Sequence, residues 1–139
     1  MIVDASVILR ALFPDEDQAQ AQGLIRDHVM GRVELIAPTL LLYDLTNAVV
    51  QARRRGRISD EQARNVLLSF EGLKITLRPV NWQQILPLAL RFDRSAYDAA
   101  YLALAEKTGL ALITGDRRLY NAVHEHLDWV QWLRDYTQI

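Results

Sequence analysis

A single α/β domain over residues 1–139, with a mostly parallel central sheet flanked by helices on both faces, is the fold this sequence predicts. Short apolar runs alternate with longer helical segments, the pattern of βαβ units. The run Asp98 to Ala105 is apolar nearly all round and rich in alanine, which suits a helix packed closely between other elements. After a turn at Gly109, Leu110 to Ile113 reads as a parallel strand covered on both faces.

The remaining elements follow in order. Met1-Ile-Val3 is a short strand running into Asp4, and Ala5 to Phe13 a helix that breaks at Pro14-Asp15-Glu16. Gln18 to Met30 is a second helix, with Ala19, Leu24, Ile25 and Val29 as its expected inner face and Gly31 as its end. Val33 to Ala37 is the second strand. Pro38 then suits a first helical position, opening Thr39 to Arg55, and Gly56 supplies a left-handed stop. Ser59-Asp-Glu-Gln62 has the capping-box pattern and opens a helix to about Glu71. Lys74 to Leu77 is the third strand. Asn81 caps a helix to Phe92 in which Pro87 marks either a kink or the true start. A short helix from about Arg118 to His124 and a small strand around Trp129-Val130 close the chain.

Composition narrows the function classes. The chain is 50% hydrophobic and 24% charged, with a net charge of -1, so it is globular and no general cation for nucleic acid. No apolar run is long enough to span a bilayer, and no leader pattern precedes the strand at Met1, which makes the cytoplasm the expected compartment. The absence of cysteine excludes disulfides, thiolate metal sites and a Cys nucleophile.

Three acids stand at element ends: Asp4 and Asp116 just beyond buried strands, and Asp98 in the first turn of its helix. Ligands of such sheets collect beyond the carboxyl ends of the strands, where strand order reverses. Neighbouring strands lie about 5 Å apart, so carboxylates there share one space and raise one another's pKa. A bound cation removes that conflict, and oxygen ligands without cysteine or paired histidine favour Mg²⁺ or Mn²⁺. Asp44, in Leu40-Leu-Leu-Tyr43-Asp44-Leu45, is a fourth candidate, with Asn47 on the same helical side. Ser6 and Thr114 are placed to orient ligands or waters. Taken singly, each acid also has a plain reading: Asp98 and Asp116 as helix caps, Asp4 in a turn with Ser6. The joint placement in one crevice favours the site.

Taken together, Ile2-Val-Asp4-Ala-Ser6, Asp44 with Asn47, Tyr97-Asp98-Ala-Ala-Tyr-Leu-Ala-Leu-Ala105 and Leu112-Ile-Thr114-Gly-Asp116-Arg-Arg-Leu119 resemble the PIN domain, and specifically the VapC-type ribonuclease toxins. The resemblance covers essentially the whole chain. It implies a single PIN-like domain, endonucleolytic RNA cleavage with Mg²⁺ or Mn²⁺, a homodimer, and a separate cognate antitoxin protein. Carried over by position, Asp4, Asp44, Asp98 and Asp116 are the catalytic and metal-binding acids, supported by Asn47 and Thr114. The family usually has glutamate where this chain has Asp44, and the shorter side chain draws its carboxylate back by one methylene. That departure keeps a second possibility in play, a PIN-fold RNA- or protein-binding module with little or no catalysis.

Arg117 and Arg118, beside Asp116, are candidate phosphate contacts. Arg53 to Arg57 reads more simply as cations at a helix C-terminus near Asp60 and Glu61. His124 and His126 are expected at the surface, the three tryptophans in the core or an interface, and Tyr97 and Tyr101 in packing. A phospho-acceptor domain also gathers acids at strand ends, but position 6 is serine where a phosphatase of that kind needs a second aspartate.

Overall fold

A computed structural model describes residues 1–16 and 18–139. Five strands, β1 (Ile2–Val3), β2 (Ile36–Pro38), β3 (Thr76–Arg78), β4 (Leu112–Thr114) and β5 (Val130–Trp132), form one sheet in the order β3-β2-β1-β4-β5. Every pairing is parallel. The chain winds outward from β1 to β3, then returns across β1 to add β4 and β5, so strand order reverses between β1 and β4.

Helices α1 (Ala5–Leu12), α2 (Ala19–Val29), α3 (Leu41–Arg54) and α4 (Asp60–Leu73) connect the outward half and pack on one another. Helices α5 (Trp82–Phe92) and α6 (Ala96–Thr108) make the return crossover and pack together, while α7 (Arg117–Val123) covers β4 and β5. Right-handed crossovers in opposite directions put the two groups on opposite faces. A short 3₁₀ turn, Leu133–Asp135, follows β5. No helix among the described residues is long and apolar enough to cross a membrane.

The alanine-rich α6 is buried continuously from Ala99 to Ala105. Its small side chains let it touch β1, β2 and β4 on one side and α5 on the other. Each fully buried Leu, such as Leu102 and Leu104, contributes roughly 2 kcal/mol of apolar burial.

Several boundaries differ from the sequence expectation, each for a visible reason. Pro38 ends β2 rather than opening α3: it has no amide proton, and the next amide, Thr39, donates to Arg78 in its place (3.0 Å). Residues 33–35 are not strand, because the Val33 amide turns back to the Asp27 carbonyl and the Leu35 amide donates to His28 Nδ1. Lys74 is the left-handed cap of α4 (φ 55°), so β3 begins later. The inner face of α2 is built from Ala21, Leu24 and Asp27, while Ala19 and Val29 point outward. Pro87 lies within α5 without ending it; both Pro87 and Gln83, whose carbonyl lacks its amide partner, are exposed to water.

Candidate active site

The reversal between β1 and β4 brings the acids together. The register Val3 to Ile113 sets Asp4 beside Thr114, each at the carboxyl end of its strand. A cavity of about 190 Å³ opens there, lined by Asp4, Ala5, Ser6, Asp44, Asp98, Tyr101 and Asp116. All four predicted acids are therefore in one wall.

Asp4 is the deepest of them. It caps α1 and accepts from the Val7 amide (3.4 Å), from the Ser6 hydroxyl (2.5 Å) and from the Thr114 hydroxyl. Ser6 Oγ in turn accepts from the Gly115 amide (2.9 Å), and Thr114 Oγ1 accepts from the Asp116 amide (2.9 Å). Each hydroxyl is thus oriented by the β4–α7 turn and spends its proton on Asp4. Burial pushes the Asp4 carboxyl up to about 6, against the pull of these donors, and the nearby Asp116 charge adds to the rise.

Asp98 is half-buried in the first turn of α6. The cap of that helix is Ser95, whose hydroxyl accepts from the Asp98 amide (3.0 Å), so the carboxylate of Asp98 is left for the cavity. Burial raises its pKa, as do the charges of Asp116 and Asp44, while Arg94 opposes them. Asp116 does cap α7, accepting from the Arg118 and Leu119 amides through one oxygen, Oδ1. The plain reading of Asp116 as a cap holds alongside the site, Asp4 bonds Ser6 as expected and also caps α1, and the cap reading of Asp98 gives way to Ser95; a carboxylate that caps with one edge keeps lone pairs for a ligand.

Asp44 stands in the first turn of α3 and accepts from the Tyr101 hydroxyl (2.9 Å). Burial raises its pKa and that bond lowers it. Tyr101 is itself buried, and burial together with Asp44 pushes its phenol well above the ordinary value. The sequence reading assigned Tyr101 to packing alone; the i, i+3 spacing from Asp98 was the signal that it shares the acid's helical side. Tyr97, also expected in packing, is 66% exposed.

The supporting residues divide. Ser6 and Thr114 both donate to Asp4. Asn47 is exposed and is not part of the cavity wall, since α3 turns it toward solvent while Asp44 faces inward. Arg118 is exposed and lines neither this cavity nor its neighbour. Arg117 lies over the Trp132 ring (5.1 Å) in the adjoining cleft. The Arg53–Arg57 run pairs with Asp60, Asp15 and Glu16, as a solvated surface would.

The donor set fits a hard divalent cation: four carboxylates and two hydroxyls, with no imidazole or thiolate. Among the described residues, no three acid or histidine side chains converge closely enough to enclose an ion as they stand. Rotation of half-exposed Asp44, Asp98 and Asp116, or bridging water, is what closing such a shell requires.

Comparison with known proteins bears on the same residues. The family model described as PIN domain matches residues 1–125. The chain belongs to the PIN-domain family. Its curated relatives include Ribonuclease VapC3 of Pyrobaculum aerophilum, 34% identical over 123 residues, which are 86% of this chain and 91% of that protein. Ribonuclease VapC9 of Mycobacterium tuberculosis is 33% identical over 119 residues, 86% of this chain and 87% of its own. The crystal structure of PAE2754 from Pyrobaculum aerophilum superposes with a TM-score of 0.74 at 24% identity, covering 96% of this chain and 83% of that one. That likeness concerns the fold. In this PIN domain Asp4, Asp98 and Asp116 all fall inside the matched region, as does Tyr101, so the cavity is built on the family's own framework.

Proposed function

We propose that this PIN domain is a metal-dependent endoribonuclease, the toxin of a toxin–antitoxin pair, hydrolysing RNA phosphodiester bonds at the four-acid cavity. The observation that carries the proposal is the set of four carboxylates from β1, α3, α6 and the β4–α7 turn in one wall. Asp4, Asp98, Asp116 and Asp44 would hold Mg²⁺ or Mn²⁺, which polarises a phosphate and lowers the pKa of an attacking water. Ser6 and Thr114 fix both oxygens of Asp4, so this carboxylate meets its ligand without rotating. Tyr101 steadies Asp44 from below. The VapC relatives named ribonucleases support RNA as the substrate. One shorter match is named an exonuclease, so the mode of attack needs its own assay.

A homodimer is part of the proposal. Trp82, Leu86 and Leu90 recur at helical spacing along α5 and are 67%, 48% and 74% exposed, an apolar stripe suited to a second copy. The antitoxin would be a separate protein that occludes the acid crevice, and the compartment is the cytoplasm, where the RNA is.

The test is cleavage of linear and circular RNA by purified protein in Mg²⁺, Mn²⁺ or EDTA, beside Asp98→Asn. Cutting of circular RNA that needs the metal and is lost in the variant supports an endonuclease; cutting confined to linear RNA points to an exonuclease. A second reading, a weakly catalytic binding module, is favoured by the short Asp44 and the open spacing of the acids. Calorimetry showing no Mg²⁺ or Mn²⁺ binding, with no cleavage, would select it.

A further inference from the structure

A second cleft, about 310 Å³, adjoins the acid cavity and shares Ser6 and Asp116 with it. Arg10, Arg117, Trp132 and Arg134 line it. Among the described residues, side-chain ion pairs engage Arg32, Arg53 and Arg57, and none engages these three arginines. Arg10 is held in place rather than trailing in solvent. Its Nη1 donates to the Ser6 carbonyl (3.1 Å), and its guanidinium rests against Gly115, where an added Cβ would stand 3.0 Å from Nη1. Arg117 is stacked over Trp132 at 5.1 Å, and Tyr120 packs against the same ring at 5.3 Å.

We propose that this cleft is the subsite for the nucleotide adjoining the cleaved bond, with Arg10 and Arg134 on its phosphate and the Arg117–Trp132 stack on its base. The inference rests on the nuclease reading and names where the strand runs. A strand whose phosphate lies at the acids must continue past Ser6 or Asp116, and here it meets cations and a stacking surface together. Guanidinium grips phosphate bidentately, and unpaired RNA bases stack on aromatic rings or guanidinium planes. The volume is at the lower end of ligand-sized clefts, enough for one nucleotide and too small for a folded segment. An acidic peptide would use the arginines but leave the stack idle. Trp132 and Arg134 also lie beyond residue 125, where the family match ends, so half the subsite comes from this chain's C-terminal segment.

The experiment measures binding of a short fluorescent single-stranded RNA in EDTA by anisotropy across a salt series, and kcat and KM for its cleavage in Mg²⁺ or Mn²⁺. Arg10→Ala and Arg134→Ala are each expected to weaken binding and raise KM roughly fivefold, and to flatten the salt slope by about 0.7. Trp132→Leu is expected to weaken binding about tenfold with the salt slope unchanged, and Trp132→Phe to keep most of it, separating lost stacking from lost folding. Arg64→Ala, on α4 outside the cleft, serves as the control. Wild type that cleaves RNA while all the cleft variants match its KM overturns the subsite alone. Variants that retain RNA binding but lose a polyglutamate peptide overturn it in favour of an acidic partner. Wild type that neither binds nor cleaves RNA removes the nuclease reading and the subsite with it.

Discussion

Among the described residues two aspartates are buried, Asp4 and Asp27, and they are treated in opposite ways. Burial raises both carboxyls. At Asp27 the Tyr136 hydroxyl (2.5 Å), the Ile139 amide (2.9 Å) and the Arg32 guanidinium (3.5 Å) outweigh burial and hold the group below the ordinary value. At Asp4 the donors are two hydroxyls and one long amide contact, no guanidinium is among them, and burial wins, at about 6. Asp27 is a finished structural node that ties the C-terminal segment to α2. Asp4 is oriented but left short of positive charge. A buried carboxylate that is fixed but not neutralised is where the proposed cation would be held.

The widest separation should come from cleavage. Asp4→Asn keeps the shape and removes the charge, and should lower metal-dependent RNA cleavage by on the order of 10³-fold. Asp27→Asn, assayed below its melting point, should stay within tenfold of wild type. Equal losses in both would erase the distinction between them.

Stability should run the other way. Asp27→Asn leaves an amide where an anion met Tyr136, Ile139 and Arg32, and losing such charge-assisted bonds in a buried position costs about 3 kcal/mol. For a chain of this size that is about 10 °C in a thermal melt. Because Asp27 titrates below its unfolded value, its contribution is present at neutral pH and lost as the pH falls through the folded pKa. The melt difference between Asp27→Asn and wild type should therefore shrink in acid.

Asp4 has the reverse sign. Its folded pKa, about 6, lies above the unfolded 3.8, so the folded state takes up the proton more readily and the ionised group opposes folding as pH rises. The cost at neutral pH is on the order of 3 kcal/mol at most. In EDTA, Asp4→Asn should melt several degrees above wild type at pH 8, the gain shrinking as pH falls below about 6 and gone below 3.8, and reduced throughout because the new amide needs an acceptor. A variant that melts below wild type at pH 8 would mean that Ser6 and Thr114 fully compensate the buried charge.

The comparison also marks where sequence stops informing. Asp4 and Asp116 were legible because each follows a short apolar run, and a carboxylate there has few other reasons to exist. Their partners Ser6 and Thr114 were legible from two-residue spacing. Asp27 was not, since it sits between Arg26 and His28 in a polar stretch and its partner Tyr136 is 109 residues away. The arginine cleft was half legible: Arg117 was visible beside Asp116, but Arg10 and Arg134 meet only once α1 and β5 flank β4. Helical spacing placed Asn47 with Asp44, yet one face of a helix is wider than one cavity, and Asn47 falls on the solvent side. Strand edges slipped by one to three residues because the strands are so short that a proline or a turned-back amide moves the boundary.

Asp44 lies between the two extremes, half-buried with a single donor, and gives the finest test. Tyr101→Phe removes the hydroxyl that lowers its pKa and leaves burial unopposed. A protonated carboxyl competes with a cation, so Mn²⁺ affinity should fall relative to wild type on the acid side and recover as pH rises, with a stability change of about 1 kcal/mol. Asp44→Glu, which restores the missing methylene, should shift affinity upward. If Tyr101→Phe binds Mn²⁺ as wild type does across that pH range, Asp44 lies outside the cation's ligands, and the site rests on Asp4, Asp98 and Asp116 alone.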